Sequence, residues 1–205
     1  MKAQSTFYQN LIVCIYKYNE FENDGLERGY HHFIASDSKV KNNIGFVVGV
    51  WKMMVEQNFF EGVERVHIFS DGGPKHFKIT SNISFFNCLQ NHLKIPINYH
   101  FFASHHGHSV CDGVSAHAKY QLNRIQRITQ KPITFSFQIV NIIETIKNHH
   151  AQLAEVEEVE ETFATFQGIR KIHKFTFNNN QASGFSLSKD ENPTKTYNCS
   201  EHNFF

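Results

Sequence analysis

Two short apolar runs, "RVHIFS" at 65–70 and "INYHFFAS" at 97–104, flank a stretch of helical composition, "SNISFFNCLQNHL" at 81–93. This succession constrains the fold more than any other feature of the 205-residue chain. Strand-length runs joined by a helix-length segment pair in parallel through a crossover, whereas a tight turn joins only antiparallel neighbours. The first run is short, apolar and bounded by Asp-Gly-Gly, as a buried strand is, and Pro96 stands just ahead of the second.

The same alternation extends in both directions. "STFYQNLIVCIYKY" (5–18) is rich in β-branched and aromatic residues and reads as a strand. "NEFENDGLERG" (19–29), with Asp24-Gly25 as its reversal point, turns it into "YHHFIAS" (30–36), the second strand of a hairpin. Asp37 and Ser38 are candidate caps for "NIGFVVGVWKMMVEQNFF", where Phe46, Val50, Met53, Met54 and Gln57 recur at helical spacing. Beyond the loop "HHGHSVCDG", the stretch "VSAHAKYQLNRIQRI" gathers Val114, Ala118, Leu122 and Ile125 on one apolar face. "FSFQIVNIIETIKNHHAQLA" (135–154) reads as a further helix, and the acidic run "EVEEVEE" as a solvated helical face. After Gly168 comes a basic, strand-like segment, "IRKIHKFTFNNN", and residues after 178 are expected to be loosely ordered apart from a short strand.

The expected fold is therefore α/β. A mixed sheet carries helices on both faces, and a hairpin ahead of the parallel units is the arrangement of an RNase H-like fold. Residues 1–150 are assigned to that domain, and 151–205 to the acidic helix, the basic segment and the tail.

Composition narrows the function classes. A hydrophobic content of 40% suffices for a real core, and a formal charge of +1 gives no global field for a polyanion, so any DNA contact must come from a local patch. Four cysteines, Cys14, Cys88, Cys111 and Cys199, contain no CxxC pair and imply neither a disulfide framework nor a four-thiolate zinc site. "LIVCIY" is far shorter than a membrane span, so no membrane association is expected and an intracellular location is.

In open α/β sheets, sites form beyond the carboxyl ends of the strands. Asp71 closes a strand, and Asp112 stands where a loop meets a helix. Carboxylates with oxygen-only ligation suit Mg2+ or Mn2+, and two such ions about 4 Å apart promote phosphoryl transfer. Lys119, seven positions after Asp112, shares its helical face and is a candidate phosphate contact, with His117 and Arg124 as lesser helpers. Each acid also has a purely structural role open to it: Asp-Gly after a strand is a common turn, Asp112 before a helix is a cap, and Asp37 is the cap of its own helix. Separately, His105, His108 and Cys111 recur every three residues and offer a zinc alternative, with His76 or His100 as a fourth ligand. The cluster lacks the two short ligand pairs of common zinc sites.

"FSDGGPKHFK" followed by "YHFFASHHGHSVCDGVSAHAK" resembles a group of transposon-derived, DDE/D transposase-like proteins carrying FSDGxxxQYKN and then HFFxxxHGKGxCDGxGGxxKR. "FIASDS" and "GIRKIHKF" are similar to further segments of that group, so the resemblance covers about residues 30–177. It implies an RNase H-like core, DNA as partner, metal-dependent strand cleavage or transfer, and a nuclear location. It marks Asp71 and Asp112 as catalytic Mg2+ or Mn2+ ligands, and Lys78 and Lys119 as motif positions where a basic residue meets nucleic acid.

The departures are specific: His76-Phe77 stands for Gln-Tyr, His108 for Lys, and Ser115-Ala116 for Gly-Gly. The group's first Asp, on the first strand of the sheet, has no counterpart in residues 1–36, where Asp24 in the turn is the sole Asp. The expected fold thus lacks its first strand, and a site missing one of three hard ligands loses metal affinity and activity. A non-enzymatic nucleic-acid-binding or interaction module is the alternative.

Overall fold

In a computed structural model of the chain, the described residues are 9–18, 26–36, 44–72, 77–102, 109–159, 163, 165–187, 189–199 and 204–205. Among them are eight strands and four α-helices, in mixed pairing, so the chain is α/β. The strands form two sheets rather than the one expected. Contacts divide the chain into two compact units, Met1–Val50 with His108–Glu157, and Trp51–Gly107 with Glu158–Phe205.

The first unit is built on the hairpin. Strands β1 (Asn10–Tyr18) and β2 (Leu26–Ala35) pair antiparallel, with Ile12 opposite His32 and Cys14 opposite Tyr30. The turn between them, including Asp24, lies outside the described residues, as do Asp37 and Ser38. The third strand, β5 (His149–Ala154), lies parallel to β2 and comes from the segment expected to end a helix. That helix, α4, stops at Ser136–Ile143, and Asn148 then takes the left-handed conformation, φ 64°, which ends helical continuation. "HHAQLA" has helical composition, but its backbone groups are satisfied by β2, and tertiary pairing overrides local preference.

Alternation along these strands places Ile34 and Ala151 on the face covered by α4 and by α3 (Val110–Thr129), where they pack with Ala118, Ile143 and Ile146. The first turns of α1 (Ile44–Glu56) belong to this unit as well. Gly45 and Gly49, four apart on α1, let the chain after β5 lie directly against the helix. A Cβ at either would stand 2.1 or 2.3 Å from the carbonyl oxygen of Glu157 or Glu155. The acidic run is thus not helical over Glu155 to Val159, and at Glu155 and Glu157 it lies against α1, instead of forming the solvated helical face expected of it.

The second unit contains the predicted crossover: β3 (Val66–Ser70), α2 (Thr80–Leu93) and β4 (Ile97–Phe101), with β3 and β4 parallel and in register. Strands β6 (Lys174–Asn178), β7 (Gln181–Phe185) and β8 (Lys195–Asn198) extend the sheet antiparallel, in the order β3-β4-β6-β7-β8. The tail expected to be loose therefore supplies two strands, held by Ala182, Phe185 and Tyr197, all buried.

One face of this sheet, carrying Tyr99, Phe101, Phe175 and Phe177, packs on α2. Phe86 meets Tyr99 edge-on with ring centroids 4.7 Å apart, and Trp51 in turn meets Phe86 at 5.1 Å. The opposite face carries His67, Phe69, His100, Phe102, Lys174 and Thr176, which follows from the register and the period of two.

Candidate functional site

Asp71 directly follows β3 and is exposed. The strand end beneath it is fixed. The Ser70 hydroxyl donates to the Tyr99 hydroxyl at 2.9 Å, and the Tyr99 hydroxyl donates to the Phe77 carbonyl at 3.2 Å. Burial pushes the Tyr99 phenol well above its ordinary range, so the ring stays neutral and hydrogen-bonded. Gly72 eases a close approach, since a Cβ there would stand a tight 3.1 Å from the Phe102 carbonyl oxygen. The carboxyl ends of β3 and β4 therefore converge, as the crossover demands.

Lys78, expected to face nucleic acid, is instead 5% exposed. Its ammonium donates to the Arg170 carbonyl at 2.9 Å and lies 5.1 Å from the centre of the Phe101 ring. Desolvation lowers its pKa. A lysine committed in this way ties the motif after Asp71 to the turn Ile169–Lys171, and it has no surface to offer a phosphate. Three segments that carry the resemblance, at Lys78, Phe101 and Arg170, thus meet inside the second unit, where they serve packing.

Asp112 lies in the first unit, at the third position of α3, and its role there is visible. Its carboxylate accepts from the Ser109 backbone N–H at 2.8 Å and from the Ser109 hydroxyl at 3.1 Å. This is a capping box, and a negative charge in the first turn also complements the helix dipole. Lys119 and Arg124 are exposed on α3.

Asp71 and Asp112 thus belong to separate units, and the Oδ2 atom of Asp112 already accepts twice from Ser109. Among the described residues no group of three or more His, Cys, Asp or Glu is placed to hold a metal ion. Of the zinc alternative, His76, His105 and His108 lie outside the described residues. Cys111 faces Cys14 across 3.3 Å, and His100 is engaged by His67.

A feature not anticipated from sequence is a ladder of rings on the open face of the five-stranded sheet. Phe69 is 58% exposed and stacks on His100, centroids 4.6 Å apart with planes inclined by 14°. Phe102, 36% exposed, stacks on Phe69 at 6.2 Å, and His67 on His100 at 5.6 Å. His67 Nδ1 and His100 Nε2 are 3.3 Å apart, while the buried Nδ1 of His100 has no hydrogen-bond partner among the described residues. Burial, then the neighbouring His67 and Lys174, hold His100 below the ordinary imidazole range.

Lys174, in register with His100 on β6, brings a cation to the same face, its ammonium 4.8 Å from the Phe185 ring centre. The signal for this face was present as the alternation His67, Phe69 and Asn98, His100, Phe102 in two strands predicted to be parallel. Reading it required the register.

Among the described residues no helix is long and apolar enough to cross a membrane. No curated protein and no solved structure matches the chain. A family model does match, over residues 2–185, which takes in both units up to the end of β7. On that match the chain belongs to the family described as domain of unknown function DUF8701.

Proposed function

We propose that the protein is a nucleic-acid-binding module, of transposase-like descent, that receives the bases of single-stranded DNA on the open face of its five-stranded sheet. The observation that carries this reading is the ladder in which exposed Phe69, Phe102 and His67 are stacked around the buried His100, with Lys174 beside it. Flat rings presented on a sheet stack with unpaired bases of any sequence, at about 1–3 kcal/mol per base, while a nearby cation holds the backbone. Duplex DNA buries its base faces and does not engage such a surface. Polar groups on the same face, Thr176 and Asn98, add hydrogen-bonding edges without charge. A near-neutral chain is compatible with this mode, because stacking supplies the part of the affinity that charge does not.

The test is fluorescence anisotropy of a labelled oligonucleotide presented as single-stranded DNA, single-stranded RNA and duplex, across a salt series. Single-stranded DNA should bind best, and affinity should fall with salt. Phe69→Ala should weaken binding about tenfold, the equivalent of about 1.4 kcal/mol, while the fold survives because the ring is exposed. No binding at low salt would sink the proposal. Strand cleavage with Asp71 and Asp112 as ligands is the second reading, favoured by the exposed carboxylate at the carboxyl end of β3. It predicts Mg2+- or Mn2+-dependent nicking of plasmid DNA that disappears in Asp71→Asn.

A further inference from the structure

Two cysteines 97 positions apart, Cys14 on β1 and Cys111 in the first turn of α3, meet with their sulfurs 3.3 Å apart. Both belong to the first unit, and α3 packs on β1 along the same sheet face. Both are partly exposed. The sulfurs are close to, but beyond, the disulfide bond length of about 2.04 Å, so a shift of little more than 1 Å joins them. Cys111 sits at the second helical position after Ser109, where unpaired backbone N–H groups and the helix dipole favour a thiolate. In the structure the Cys111 thiol donates to the Cys14 sulfur; once Cys111 loses its proton the Cys14 thiol donates back to the thiolate, and Cys111 is pushed down to about 7, chiefly by this pairing, while the same pairing with burial pushes Cys14 up. One sulfur is thus the nucleophile, and the other, protonated beside it, is the resolving thiol.

We propose that Cys14 and Cys111 are a redox modification site, oxidised to a disulfide by small-molecule disulfides of the glutathione class. In the first step the Cys111 thiolate attacks one sulfur of the oxidant, whose S–S bond breaks and releases one thiolate. That thiolate takes up the proton Cys111 had given to solvent, and Cys111 carries a mixed disulfide. Cys14 then gives up its proton and attacks the Cys111 sulfur, expelling the second small thiolate, which is protonated in turn. Two protein thiols are oxidised, and one disulfide is reduced to two thiols. The product ties β1 to the start of α3, closing a loop of nearly half the chain. A site of this kind is legible only in three dimensions, because sequence spacing shows four unrelated cysteines.

The experiment treats the full chain with oxidised glutathione, quenches with acid, and maps the cysteines by alkylation and peptide mass spectrometry. Reactive thiols should fall from four to two, with Cys14 and Cys111 recovered as one linked peptide pair. The rate of mixed-disulfide formation should reach half its maximum near pH 7, about two units below an ordinary cysteine. Cys14→Ser should stop at the first step and trap glutathione on Cys111. Retention of all four thiols under conditions that oxidise a reference dithiol would overturn the proposal, and so would preferential linkage through Cys88 or Cys199. One equivalent of bound zinc that shields Cys14 and Cys111 from alkylation would overturn it as well.

Discussion

The two units build their interiors from different chemistry. The second is filled by aromatic rings: Phe85, Phe86, Tyr99, Phe101 and Phe175 are all buried and in edge-on or tilted contact. The first places histidines between sheet and helices. His32, 0% exposed, shares a hydrogen bond with His149 at 2.9 Å, and the Asn10 amide lies 3.1 Å from its other ring nitrogen. These contacts form a single consistent chain when the Asn10 N–H donates to His32 Nδ1 and the His32 Nε2–H donates to His149 Nδ1. His117 of α3 closes on His149 with ring centroids 5.4 Å apart, and Cys14 and Cys111 lie on the same face. An aromatic interior is indifferent to protons and oxidants over the physiological range. Buried imidazoles beside an apolar cluster, with a partly exposed thiol pair at the same sheet, respond to protons and to oxidants, so the first unit is the conditional half of the molecule.

The largest effect expected tests the unconditional half. Phe85 is 0% exposed and touches Phe86 and Phe204, with ring centroids 5.4 and 5.2 Å away. Phe85→Ala removes a buried ring and should cost about 3–5 kcal/mol. Hydrogen exchange followed by mass spectrometry should show the loss in α2, β4, β6 and β7, at neutral and mildly acidic pH alike. Equal loss of protection in β1, β2 and β5 would mean that the two units unfold as one, and the comparison would fail.

Acid tests the conditional half. Burial first, then the neighbouring His149 and His31, lower the His32 imidazole to about 4. Its ordinary value in the unfolded chain is about 6.5, so below that pH the unfolded chain binds a proton that the folded one refuses. The stabilisation is complete above pH 6.5 and is lost as pH falls toward 4. At about 1.36 kcal/mol per unit this one group accounts for about 3 kcal/mol. His31 and His149 are lowered in the same direction. Among its described residues the second unit has one such imidazole, His100. Denaturant melts between pH 7 and 4.5, resolved by hydrogen exchange, should therefore show the first unit losing more stability than the second. His32→Gln, which keeps an amide donor and acceptor in place of the ring, should flatten the difference.

How much of this was legible beforehand follows the same division. The crossover from β3 through α2 to β4 was read correctly because its hydrophobic periods are local and its boundaries are marked by Asp-Gly-Gly and Pro96. The amphipathic α3 was read for the same reason. Strand β5 was not, because "HHAQLA" becomes a strand only by pairing with β2, more than 100 positions earlier. β7 and β8 were obscured by Ser, Asn and Lys, which carry no periodic signal when one sheet face is open to water. At the site, Asp112 was recognised as either a ligand or a cap. The structure gives it the capping geometry with Ser109, a contact that needs only three residues of sequence to foresee. The Phe69 ladder and the Cys14–Cys111 contact needed register and packing.

The smallest effect asks whether the start of α3, in the conditional unit, is shaped for stability or for a ligand. Gly113 follows Asp112 inside the helix, and nothing lies within 4 Å of where its Cβ would stand. Glycine in a helix costs about 0.5–1 kcal/mol relative to alanine, through backbone freedom lost on folding. With space available, Gly113→Ala should therefore raise the stability of the first unit by about that amount, read as a small rise in its denaturation midpoint. Affinity for single-stranded DNA should not change, because the proposed platform belongs to the other unit. A gain in stability with an accompanying fall in affinity would mean that the glycine is kept so that a polynucleotide backbone can come close to the helix start. The exposed Lys119 and Arg124 of α3 would then be contacts in their own right, and the assignment of binding to one unit and conditional stability to the other would have to be redrawn.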